Sequence, residues 1–183
     1  MTIATDLYLG QVIDIQSKEI RTAESILKKG DWFFTQLGNY TSVAPLSISN
    51  GVTSKIAFQP EDITYTNGNG FTTQYDFVNQ KFMPTTLNDL FTAEVRFKFK
   101  CSAQDGHFDV KLESPDFDFN PVSGLSVSST KSAGVEQFAS IPFTFFIGQD
   151  LIDNGLEFKI TPFNTNIQVY DISYLVVRLC SGR

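Results

Sequence analysis

The sequence predicts an all-β domain, an antiparallel sandwich or barrel, with a short N-terminal helical arm. Three observations carry that class. Apolar and polar residues alternate with period two in one segment after another, as in half-buried strands. Turn signals separate these segments at the spacing of a sandwich or barrel. The composition also suits pleated, half-buried surfaces: aromatic residues make up 14% of the 183 residues, and Phe alone supplies 18. Hydrophobic residues reach 42%, enough for the core of one domain.

Residues 1–39 read as the arm and residues 40–183 as the β domain. Asp6–Ile15 is a short candidate strand. Ser17–Lys29 has helical spacing at Ile20, Ala23, Ile26 and Leu27, with Ser17 as its cap. Lys28 and Lys29 sit where the helix dipole favours cations, and Gly30 is placed to stop the helix. The aromatic run Trp32-Phe33-Phe34 follows. The arm is too small for a core of its own and should dock on the domain, on a second copy or on a larger assembly.

Candidate strands then come at Ser42–Ile48, Ser54–Phe58 and Gln74–Phe82. The clearest is Phe91–Cys101, where Phe91, Ala93, Val95, Phe97, Phe99 and Cys101 alternate with polar and charged residues. Gln104-Asp105-Gly106 turns the chain into His107–Glu113, which sets Phe108, Val110 and Leu112 on one side. A loop over Ser114–Gly124 leads to Leu125–Ser129. Ala139–Ile147 again alternates, and Gly148-Gln149-Asp150 opens a connection closed by Asn154-Gly155. Leu156–Thr161 precedes Pro162, which marks a strand end.

The closing strand, Ile167–Cys180, breaks the pattern. Strict period two puts Ile167, Val169, Leu175, Val177 and Leu179 on one face. It puts Tyr170, Ile172, Tyr174, Val176 and Cys180 on the other. An outer strand of a monomeric antiparallel sheet should be dry on one face and wet on the other. A strand apolar on both faces predicts that a second copy covers one of them, with Tyr170, Ile172, Tyr174 and Val176 as the interface residues.

The order of elements resembles a known superfamily. It runs from Lys55-Ile56-Ala57-Phe58, through Tyr75-Asp76-Phe77 and an isolated Phe82, to the aromatic strand Phe91–Cys101. Near the end a Phe-rich strand runs into Ile147-Gly148-Gln149-Asp150-Leu151, and a closing strand finishes within a few residues of the C-terminus. This succession resembles the jelly-roll domains of the tumour necrosis factor and complement globular-head superfamily, over roughly Thr41–Arg183. The match departs at Gly-Gln-Asp, where that superfamily has Gly-Asp. The resemblance implies an antiparallel jelly-roll sandwich and a compact homotrimer. It also points to trimeric tailed-phage virion proteins: capsid decorations, or fibre and tail knobs, with other capsid or tail proteins as partners.

Chemistry is poorly supplied. His107 is the only histidine, and no Ser sits in a Gly-x-Ser-x-Gly elbow. One His and the distant Cys101 and Cys180 fall short of a structural zinc site. Asp116, Asp118 and Asn120 alternate in a loop but lack the Gly and closing Glu of a calcium loop. No Walker A loop or dinucleotide fingerprint is present. The expectation is a protein with no catalytic residues, metal or cofactor. A net charge of −6 argues against a nucleic-acid partner. No apolar run approaches a membrane span, and the first residues lack a secretory pattern, so assembly in a host cytoplasm is expected. The alternative reading is a receptor- or carbohydrate-binding module without chemistry, in which exposed aromatics stack on a host-surface glycan. Trp32, Phe33 and Phe34 are the best candidates for that or for an assembly contact, ahead of Tyr65, Phe71 and Tyr75.

Overall fold

The computed structural model describes residues 32–59, 62–66, 75–115 and 123–180. The predicted strand Asp6–Ile15, the helix Ser17–Lys29 and the acidic loop with Asp116, Asp118 and Asn120 lie outside these residues. Among them, twelve strands form two facing sheets and one small hairpin, all paired antiparallel. The larger sheet runs β10 (Gln137–Phe146), β7 (Leu90–Cys101), β12 (Ile167–Cys180), β1 (Trp32–Gln36), β4 (Ile63–Thr66), and β2 (Leu46–Ile48) also pairs with β12. The smaller runs β3 (Ser54–Lys55), β11 (Glu157–Phe163), β8 (His107–Glu113), β9 (Ser123–Ser128). β5 (Tyr75–Asp76) and β6 (Lys81–Phe82) make the hairpin.

The core lies between the two sheets and is built from the alternating residues read from the sequence. Phe91, Val95, Phe97 and Phe99 point inward from β7, and Ile141, Phe143 and Phe145 from β10. Phe108, Val110 and Leu112 of β8 and Phe158 and Ile160 of β11 meet them. Ring pairs such as Phe99–Phe108 at 4.9 Å and Phe143–Phe158 at 5.8 Å cross the gap. Each such side chain contributes about 2 kcal/mol by leaving water. The predicted connection after Gly148 contains a short helix, α1 (Gln149–Asn154), stopped by Gly155 at φ 73°. A Cβ there would lie 2.5 Å from Met83 Sδ and 3.1 Å from the Phe82 carbonyl oxygen, so position 155 admits only glycine.

The arm boundary needs correction. Trp32–Gln36 is not part of an appendage ending at residue 39. It is a full strand between β12 and β4, with Phe33, Thr35 and Leu37 buried. The β domain therefore begins by Trp32.

The closing strand also differs from strict alternation. β12 pairs with β7 as Tyr170↔Lys98 and then Ser173↔Arg96, so Asp171 and Ile172 together oppose the single Phe97. Asp171 sits at φ 51°, in the left-handed region that aspartate tolerates. This bulge swaps the faces midway. Before it, Ile167 and Val169 point into the core. After it, Ile172, Tyr174 and Val176 do. Most of the apolar content of both apparent faces thus goes to one core.

Outward from the smaller sheet lies a charged cluster. Glu157, 2% exposed, accepts from Lys55 at 2.6 Å and pairs with Lys159 at 3.0 Å; Lys159 also reaches Glu113 at 3.0 Å. Burial alone would push the Glu157 carboxyl up, but the two lysines outweigh it and hold it below the ordinary 4.5. A depressed carboxylate adds stability above its unfolded value, and that contribution drains away as pH falls through the folded value. Glu157→Gln should lower unfolding free energy by about 2 kcal/mol at pH 7. The gap to wild type should close as pH falls below 4.5 in urea titrations; a gap independent of pH would rule out this assignment.

Candidate functional site

The candidate site is the outer face of the larger sheet. Cross-strand partners share a face. Phe34 opposes Leu175 on one side and Tyr65 on the other, and Trp32 opposes Val177. Phe33 is buried inward, so Trp32 and Phe34 point outward with Leu175 and Val177, all half-buried. The Phe34 and Tyr65 rings stand 6.4 Å apart, and Tyr65 is 59% exposed. On the same face β10 adds Phe146, 56% exposed, opposite Leu90. An apolar surface thus runs across neighbouring strands at one end of the sheet.

The other end of this face is charged and self-paired. Lys98 Nζ lies 3.0 Å from Asp171 and 3.9 Å from Glu136. Tyr170 lies under this layer and donates its hydroxyl to Glu136 at 2.6 Å. Burial, reinforced by Glu136, pushes the Tyr170 phenol up to about 12. Glu94 is held below its usual range by the Arg96 guanidinium and the Ser140 hydroxyl, which outweigh a smaller upward push from burial.

The residues expected at the interface do not form it. Tyr170, Ile172, Tyr174 and Val176 are all buried within the single chain, and no second copy could reach them. Tyr174 is 0% exposed, its ring 4.4 Å from that of Phe58 and 4.8 Å from that of Phe158. The bulge explains the error: it turns the even-numbered residues from 172 onward inward and leaves Leu175 and Val177 outside. The Trp32-Phe33-Phe34 run splits the same way, its middle residue inside and its flanks on the outer face.

The other candidate groups stay apart. His107 stacks on Phe163 at 5.2 Å. Cys101 pairs with Ile167 and Cys180 with Leu90, at opposite ends of the 12-residue β7. That is roughly 36 Å at strand rise, so they form no disulfide within one chain. Asp62 accepts the backbone N–H groups of Gly38 at 2.9 Å and Gln59 at 2.7 Å, a structural use. Among the described residues no three His, Cys, Asp or Glu side chains are grouped to hold a metal, and no helix is long and apolar enough to cross a membrane.

β10 forms a sheet edge and carries Pro142 at mid-strand, opposite Glu94. Proline fits there because its missing N–H faces away from β7. It also denies a donor to any strand that would extend the sheet from that edge.

No family model matches the sequence, and no curated protein matches it. Solved structures do. The chain is similar to Eiger TNF from S. frugiperda at 8% identity, over 85% of this chain and 96% of that one, with a TM-score of 0.52. It is also similar to the globular domain of zebrafish complement 1qA protein, at 10% identity over 84% and 100% of the two chains, with a TM-score of 0.49. The PRD1 vertex protein P5 gives 11% identity over 81% and 72%, with a TM-score of 0.45. At such identities the likeness is one of fold. With two facing antiparallel sheets in which the closing strand lies mid-sheet, the chain has the jelly-roll fold of the tumour necrosis factor type.

Proposed function

We propose that this chain is a non-catalytic structural protein that works as a homotrimer, closed through the apolar end of its larger sheet. Its place is the virion of a tailed phage, as a capsid decoration or as a fibre or tail knob, assembled in the host cytoplasm beside other capsid or tail proteins. The observation that carries the assembly is the surface made by Trp32, Phe34, Tyr65, Leu175 and Val177. Soluble monomers rarely expose a contiguous apolar patch of this kind. Pro142 disfavours growth of the sheet through its β10 edge, and packing through the apolar face suits a closed ring. The count of three comes from the jelly-roll resemblance.

Light scattering tests this directly. Wild type should show three times the 20.5 kDa chain mass. Leu175→Glu should give a folded single chain, because the new carboxylate is solvated in the monomer and stranded in a closed interface. A wild-type protein that stays monomeric at micromolar concentration would remove the assembly. Mass spectrometry of purified particles tests the virion assignment separately, which fails if the chain is absent from them.

A further inference from the structure

At the end of the larger sheet remote from the apolar surface lies a crevice of about 410 Å³. It is on the scale of small-molecule sites. Three of its side chains form a row across adjacent strands: Ser47 opposes Gln168, and Gln168 opposes Lys100. Direct partners share a face, so a hydroxyl, an amide and an ammonium stand side by side. Ile48, Cys101 and Ile167 alternate with them and are buried. Asn166 and Ser102 close one wall. Asn166 Oδ1 accepts the Asn50 N–H at 2.9 Å, and its own N–H donates to Ser102 Oγ at 2.9 Å. The first bond fixes the amide and leaves Nδ2 free to donate. Opposite, Gly134 is held by an N–H bond of 2.8 Å to the Cys101 carbonyl oxygen.

The charge of this crevice runs against that of the chain. Acidic residues outnumber basic ones by 20 to 14, yet no carboxylate lines the crevice. Lys98 is already paired with Asp171. Lys100 has no acidic partner among the described residues, and its ammonium is held 5.6 Å from the Tyr170 ring centroid. Neither Ser47 nor Gln168 spends its side chain on another described residue.

We propose that this crevice binds a carboxylated sugar. The carboxylate lies against Lys100. The ring hydroxyls replace water on Gln168, Asn166 and Ser47, groups that both donate and accept. The crevice presents no exposed aromatic face, so recognition is by hydrogen bonds and charge. Its contacts are to one sugar residue, which sets a weak affinity per site that several copies would raise by avidity. The site lies away from the proposed trimer surface and does not depend on the assembly reading.

The test is saturation-transfer NMR and calorimetry on the full chain, with methyl glucuronide as probe and methyl glucoside and acetate as controls. Methyl glucuronide should bind saturably in the millimolar range, with methyl glucoside and acetate each at least about ten-fold weaker, the worth of one charge-assisted contact. Lys100→Gln keeps the side-chain stem over Tyr170 and removes the charge. It should weaken glucuronide about ten-fold and leave glucoside unchanged. Asn166→Ala should weaken it several-fold, with folding checked by near-ultraviolet dichroism. Equal affinity for glucuronide and glucoside, equal affinity for acetate, no saturable glucuronide binding, or an unaltered Lys100→Gln variant would each overturn the proposal.

Discussion

Insertion of one alanine after Ser173 is expected to abolish folding. The bulge lets Asp171 and Ile172 oppose Phe97, and from Ser173 onward β12 pairs with β7 one to one. An extra residue there would send Tyr174 and Val176 outward and bring Leu175 and Val177 into the core. Alternatively, β12 would have to slip against both β7 and β1, breaking the pairs Tyr174↔Val95 and Phe34↔Leu175. Either outcome costs more than the roughly 5–15 kcal/mol that holds a domain together. Deletion of Asp171 is the control. It leaves Ile172 alone opposite Phe97 and keeps every face. It loses the exposed ion pair to Lys98 and the N–H bond to the Tyr40 carbonyl oxygen, so it should cost about 1–3 kcal/mol. Urea unfolding followed by near-ultraviolet dichroism reads both. An insertion variant with a native transition would show that register does not set the faces.

Tyr174→Asp should be as damaging, for a different reason. The ring is enclosed by Phe58 and Phe158, and a carboxylate there would be buried without a partner. The loss combines ring packing, about 3–5 kcal/mol, with charge burial, and should leave insoluble or unfolded protein. Tyr174→Phe is the informative companion. The phenolic oxygen is buried with no hydrogen-bond partner among the described residues, and burial has pushed the phenol well above its ordinary 10.0. Removing that oxygen should leave stability unchanged or raise it by about 1 kcal/mol. A loss of several kcal/mol in Tyr174→Phe would mean the hydroxyl has a partner.

The long strands were legible in the sequence. In β7, β8 and β10 the apolar residues recur at every second position without interruption, and one face of each went to the core as read. Sandwich class followed from that regularity and from the turns, and jelly-roll type from the resemblance carried by the order of elements. What was hidden is what one residue can hide. Asp171 gives no signal beyond aspartate's tolerance of the left-handed region, yet it reassigns Tyr174, Val176, Leu175 and Val177. Ile172, Tyr174 and Val176 were therefore chosen on the wrong side of the right strand, while Tyr170 is on the outer side but covered by Glu136 and Lys98. Trp32–Gln36 was missed as a strand because five residues beside a predicted helix look like its tail. Its partners in β12 lie about 140 residues away in sequence. A break in alternation at a turn-prone residue inside a long apolar run is the cue that would have suggested the bulge.

The position of β12 governs the order in which the larger sheet can close. β12 separates β7 from β1. A nascent chain still missing Ile167–Cys180 has two strands with nothing between them. The partners in β1 lie about 140 residues earlier, and such distant pairings favour slow folding. A message cut short before Ile167 would yield open, sticky ribbons.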